Sequence, residues 1–117
     1  MREWPKDLDL KTVFLDRELE TITFAQYSIY LRFGENLLLS IMSDFVYSSS
    51  QITEEISFPI RSTYLISSIG SKIIKAELID KKDLCLWFED GAKIKINGST
   101  RMYECYSVNF KGREFYV

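Results

Sequence analysis

Apolar and polar residues alternate along most of this chain with a period of two, the spacing of side chains that leave a β-strand on opposite faces. Tyr27, Ile29, Leu31 and Phe33 share one face of such a strand, and Leu84, Leu86 and Phe88 share one face of another. The alternation and the turn residues between runs predict strands over 18–25, 27–33, 37–43, 72–79, 83–89 and 92–97, then Met102–Phe110 and Arg113–Val117. Glu89-Asp90-Gly91 suits a tight hairpin, because Asp-Gly accepts the positive φ that such turns demand, and Gly34-Glu35-Asn36 takes the same place earlier. Tyr47-Ser48-Ser49-Ser50-Gln51 reads as a loop or frayed edge. Pro59–Ile69 reads as a short helix, with Ile60 spaced to meet Tyr64, Leu65 spaced to meet Ile69, and Gly70 placed to end it. Leu8–Leu15 reads as a weaker helical turn, with Asp16 in the position that Gly70 holds later.

The apolar pattern repeats at an offset of 54 to 55 residues. Leu15, Leu19, Ile22 and Phe24 are spaced as Ile69, Ile73, Ala76 and Leu78 are. After a slip of one residue, Ile29, Leu31, Phe33, Leu37, Leu39 and Ile41 correspond to Leu84, Leu86, Phe88, Ala92, Ile94 and Ile96. A duplication fixes architecture more firmly than local propensity does. It predicts three antiparallel strands in each copy, with pseudo-repeats over about 10–56 and 64–110 of one domain spanning 1–117. The expected fold class is mainly β (α+β): an antiparallel β sandwich or open barrel from an internal duplication, with one or two short helices.

Composition narrows the function. The 117 residues are 46% hydrophobic and 27% charged, which excludes disorder and a disulfide-dense scaffold. Fifteen Lys and Arg against seventeen Asp and Glu lack the basic field a nucleic-acid binder needs. Charges at Arg2, Glu3, Lys6, Asp7, Asp9 and Lys11 occupy the place of a signal peptide's apolar stretch, and Leu37–Met42 is too short to span a bilayer. A cytoplasmic protein without membrane contact is expected. Cys85 and Cys105 sit in strand-like runs without ligand spacing and read as buried, reduced thiols.

The chain has no histidine, which removes the commonest general base near neutral pH together with Ser-His pairs, Cys-His pairs and His-ligated metals. Its five glycines are scattered one per turn, so no phosphate loop is formed. The acidic pairs Glu54-Glu55, Glu89-Asp90 and Asp80 with Asp83 fall in turns, where water screens them. Neither an enzyme, a metal site nor a cofactor is expected. What stands out is an aromatic content of 15%. Tyr30, Trp87 and Tyr106 lie opposite the main apolar stripe; they are either covered in the monomer or, with Tyr47 and Trp4, anchors at an interface.

Acidic charge is concentrated early: residues 1–60 hold ten acids against five bases, and 61–117 hold seven against ten. One acidic group is Asp7, Asp9, Asp16, Glu18 and Glu20. The other is Asp44, Glu54 and Glu55 around the inter-repeat loop, and with Tyr47 as an aromatic anchor these are the favoured partner-binding residues, since loops carry binding.

IYLRF-turn-LLLSI, a Pro-initiated helix ending in IG, LCLWFEDGAKIKI and the aromatic strand YECYSV together resemble small bacterial immunity proteins found beside contact-dependent growth-inhibition and other polymorphic toxins. The resemblance extends from about Leu10 to Val117 and is carried by hydrophobic pattern. It implies a non-catalytic cytoplasmic protein that binds one cognate toxin domain, a nuclease among the candidates, and occludes its active site. A basic toxin cleft would be steered to an acidic face. Two other readings stay open: a β-barrel carrier with a small ligand in its interior, and a homodimeric module paired through the faces of Tyr30 and Trp87.

Overall fold

A computed structural model describes residues 3–98 and 104–117. The elements in chain order are helix α1 (Leu10–Phe14), strands β1 (Thr21–Phe24), β2 (Ile29–Arg32), β3 (Leu37–Ile41), β4 (Phe45–Ser48) and β5 (Thr53–Ile56), and a 3-10 helix (Tyr64–Ser68). Strands β6 (Ile73–Ile79), β7 (Asp83–Phe88), β8 (Lys93–Ile96), β9 (Tyr106–Phe110) and β10 (Arg113–Tyr116) follow. They form two five-stranded antiparallel sheets, ordered β1-β2-β3-β9-β10 and β5-β4-β8-β7-β6. The mainly antiparallel β fold with short helices is therefore as expected. Met102 and Tyr103, the start of the penultimate predicted strand, lie outside the described residues.

The duplication governs the backbone. Each half runs helix, three-strand meander, hairpin. The helices are capped alike: Asp9 accepts from the Lys11 N–H, and Thr63, 54 residues later, accepts from the Leu65 N–H. Asp16 (φ 65°) and Gly70 (φ 93°) follow the two helix ends in the left-handed region. Four main-chain bonds come in pairs related by exchanging the halves. Asp16 N–H donates to Ile73 C=O at 2.9 Å as Gly70 N–H does to Leu19 C=O at 2.7 Å. Ile73 N–H donates to Arg17 C=O at 2.9 Å as Leu19 N–H does to Ser71 C=O at 3.0 Å. Between them Glu18 and Lys72, themselves 54 residues apart, form an isolated bridge that marks the pseudo-twofold axis.

The sheets are not one copy each. After β3 the chain crosses to the second sheet, where the hairpin β4–β5 pairs with β8; after β8 it crosses back, and the hairpin β9–β10 pairs with β3. Each sheet is thus the meander of one half extended by the hairpin of the other. The inward stripes meet in one core that includes Leu31, Leu39, Ile41, Leu86, Ile94, Tyr106 and Val108, all fully buried. Burying a side chain of this size contributes about 1.5–3 kcal/mol, which is what holds the exchanged hairpins in place.

Two local expectations are corrected. Residues 47–51 are not a loop or frayed edge throughout: Tyr47 and Ser48 belong to β4, which pairs on both sides, with β5 and β8. Phe45 and Tyr47 point into the core while Val46 and Ser48 point out, and the polar run forms a hairpin tip closed by Ser49 N–H to Ile52 C=O at 2.8 Å. The helix expected over Pro59–Ile69 is one 3-10 turn. The Thr63 hydroxyl holds the Leu65 N–H at 3.1 Å and fixes the start at Tyr64, while Pro59 follows a cis peptide bond well upstream.

Candidate functional site

The two sheet crossings lie side by side at one end of the molecule. Met42 N–H donates to Cys105 C=O at 2.8 Å, and the Ser43 hydroxyl donates to Asn97 C=O at 2.8 Å, so the β3–β4 and β8–β9 connections are stitched together. Asp44 follows directly and is exposed. On the outer face of the second sheet the register sets Glu55 opposite Val46, Val46 opposite Lys95, and Lys95 opposite Cys85. The result is an open cleft of about 440 Å³ lined by Asp44, Val46, Glu55, Asp83, Lys95 and Asn97 among others. A second depression of about 500 Å³, lined by Tyr27, Met42, Asp44, Phe58 and Glu104, adjoins it through Asp44.

Of the four residues favoured from the sequence, the structure brings Asp44 and Glu55 into this cleft and gives the other two structural work. Tyr47 is buried, with its hydroxyl 3.0 Å from the Ser68 Oγ and 3.3 Å from the Ser67 Oγ, so it ties β4 to the 3-10 helix and presents no ring to a partner. Glu54 accepts from the Thr63 hydroxyl at 2.6 Å and from the Tyr64 N–H at 3.1 Å, which makes it a cap on the same helix. β5 alternates, and that parity separates the neighbours: Glu54 and Ile56 turn inward, Glu55 outward. The earlier acidic group is similarly engaged. Asp9 caps α1, and Asp7 makes two bonds to the Arg113 guanidinium, at 2.8 and 3.0 Å, which lower its pKa from the ordinary carboxylate value.

The aromatic anchors divide in the same way. Trp4 is buried against Phe14 and Phe115, its indole N–H donating to Leu8 C=O at 2.7 Å. Trp87 is half-buried between two ammonium groups, Lys75 at 4.7 Å and Lys93 at 4.8 Å from its ring centre. Tyr106 is wholly buried and donates from its hydroxyl to Lys82 C=O at 2.8 Å; burial, then the charge of Asp83, pushes its pKa well above the usual tyrosine value. Tyr30, half-buried, accepts from the Ser28 hydroxyl at 3.0 Å. Tyr27 is exposed at this end, with 67% of its surface accessible.

Asn97 and Glu104 escaped the sequence reading, and Asp83 was read only as a turn acid. They reach Asp44 because the hairpins change sheets, and no local pattern signals that exchange. Cys85 and Cys105 are buried thiols outside any disulfide, and burial raises the Cys85 pKa. Among the described residues no group of three or more Cys, Asp and Glu side chains is arranged to hold a metal ion, and no helix is long and apolar enough to cross a membrane. What the arrangement offers is a cleft with Asp44, Glu55 and Asp83 beside Lys95, adjoining a depression where Asp44 and Glu104 flank the apolar area of Tyr27, Met42 and Phe58. Comparison with family models, curated proteins and solved structures gives no match for this chain.

Proposed function

We propose that this chain is a non-catalytic, cytoplasmic immunity protein that neutralises a cognate bacterial toxin domain by covering the toxin's active site. The observation that carries the reading is the meeting of Asp44, from the β3–β4 connection, and Glu55, from β5, in one solvent-open acidic cleft beside exposed aromatic surface. Such a surface steers a basic partner during encounter and gives it an apolar area to seal against. A toxin that acts on nucleic acid has a basic cleft of the complementary sign. The interior is filled by core side chains such as Leu39, Leu86, Tyr106 and Ile94, so the carrier alternative gains no support.

Co-expression with the toxin domain encoded beside it tests the reading: the wild-type chain restores growth, and the Asp44→Lys/Glu55→Lys variant fails to do so while keeping its thermal midpoint. Association slows with added salt in the wild type and loses that dependence in the variant. Absence of growth rescue by the wild type, or rescue undiminished in the variant, refutes the proposal.

A further inference from the structure

Two five-stranded sheets have four edges: β1 and β10 in the first, β5 and β6 in the second. Open edges invite pairing with other chains, and proteins guard them with charge, proline or bulges. Three of the four are guarded. β10 carries Arg113 and Glu114, β5 carries Glu54 and Glu55, and β6 carries Lys75 and Glu77 with a register shift between Ile73 and Lys75. β1 reads Thr21-Ile22-Thr23-Phe24, with no charge, no proline and no register shift, and three of its four residues are exposed. Its counterpart in the other half is β6, so the duplicated fold does not itself require an unguarded strand here.

The geometry of this edge is self-complementary. Ala25 N–H donates to Ser28 C=O at 2.9 Å in the hairpin register, and Glu20 N–H reaches Arg32 C=O at 2.9 Å just before the strand begins. From Ala25 the antiparallel alternation turns the peptide groups of Thr23 and Thr21 toward β2 and those of Ile22 and Phe24 off the edge. A second copy laid antiparallel with Thr23 opposite its own counterpart sets Ile22 opposite Phe24 twice, and these pairs exchange four N–H to C=O bonds. Directly opposed residues share a face, so Ile22 and Phe24, the latter 43% exposed in the single chain, cover one another on the core side. On the outer side Thr23 meets its own counterpart, and Thr21 lies opposite Ala25 of the second copy.

We propose that β1 is a homodimerisation edge, joining two copies about a twofold axis through Thr23 into one continuous ten-stranded sheet. The pairing is isologous and uses none of the acidic cleft, so it is independent of the immunity reading. An interface of four residues per chain lies below about 1,200 Å², the range of weak, transient association. Sedimentation equilibrium at up to about 500 µM is expected to show a concentration-dependent dimer. Thr23→Lys and Thr23→Glu, at an exposed position, should each weaken association at least about tenfold with unchanged circular dichroism. An equimolar mixture of the two should restore dimer, because Lys then faces Glu across the axis. Slower amide exchange at Ile22 and Phe24 on raising the wild-type concentration gives a second readout in the same direction. A wild-type chain that stays monomeric at about 500 µM, a dimer indifferent to both substitutions, or a mixture that does not reassociate overturns the proposal.

Discussion

Replacing Tyr106 by Phe tests the idea that one buried hydroxyl fastens the two sheets together. The ring leaves β9 in the first sheet, and its hydroxyl reaches the Lys82 carbonyl in the turn before β7 of the second, at 2.8 Å. Removing the hydroxyl deletes that bond and leaves a carbonyl with one partner fewer, so the expected loss at pH 7 is about 1.5 kcal/mol, within the range for a buried hydrogen bond with an orphaned acceptor. The alkaline limb is more discriminating. An unfolded tyrosine loses its proton near pH 10, whereas burial keeps the folded phenol protonated well beyond that. Above about pH 10 the unfolded wild type therefore binds fewer protons than the native state, and stability falls with a slope of up to about 1.4 kcal/mol per pH unit from this group. The Phe variant lacks that contribution. Urea unfolding of both chains at several values between pH 7 and 11.5 should show the difference between them shrinking above pH 10 and vanishing about one unit higher. A difference that stays constant across that range would refute the argument that Tyr106 is held neutral by burial.

Two further outcomes follow from particular contacts. At Gly98 an added Cβ would overlap the Lys82 carbonyl, and the Gly98 N–H is held by Asp83 at 2.9 Å, so Gly98→Ala should cost about 1–3 kcal/mol in denaturant unfolding. Asp7 gains its stabilising contact from Arg113 only as a carboxylate with a lowered pKa. That contribution is complete above the ordinary carboxylate value near 3.8 and disappears as pH falls through the lowered one, so the thermal midpoint of Asp7→Asn should show a shallower acid limb than the wild type below about pH 4.

The local organisation of this chain was legible in its residues. Period-two runs located the meanders, Gly34 and Gly91 adopt the positive φ expected at their turns, and Asp16 stands in for Gly70 at the end of the first helix. The repeat offset read from apolar positions returns as paired main-chain bonds at the pseudo-twofold axis. These features depend on a few neighbouring residues, where turn sterics, capping hydroxyls and strand parity act directly. β4 was missed because four residues are too few for alternation to stand out beside a run of serines, although Phe45 and Tyr47 carry it.

The partner of each strand belonged to the tertiary structure alone. Once the chain crosses between sheets after β3 and again after β8, a hairpin finds its neighbour through long-range burial, which local sequence does not encode. That choice buried Tyr47, made Glu54 a helix cap, and gathered Asp44 from a sheet crossing and Glu55, Asp83 and Lys95 from three strands into one cleft. Sequence determined which residues could occupy a strand face or a turn. Packing of the two duplicated halves into a single core decided which of them remained at the surface, because only the assembled sheets fix what lies opposite each side chain.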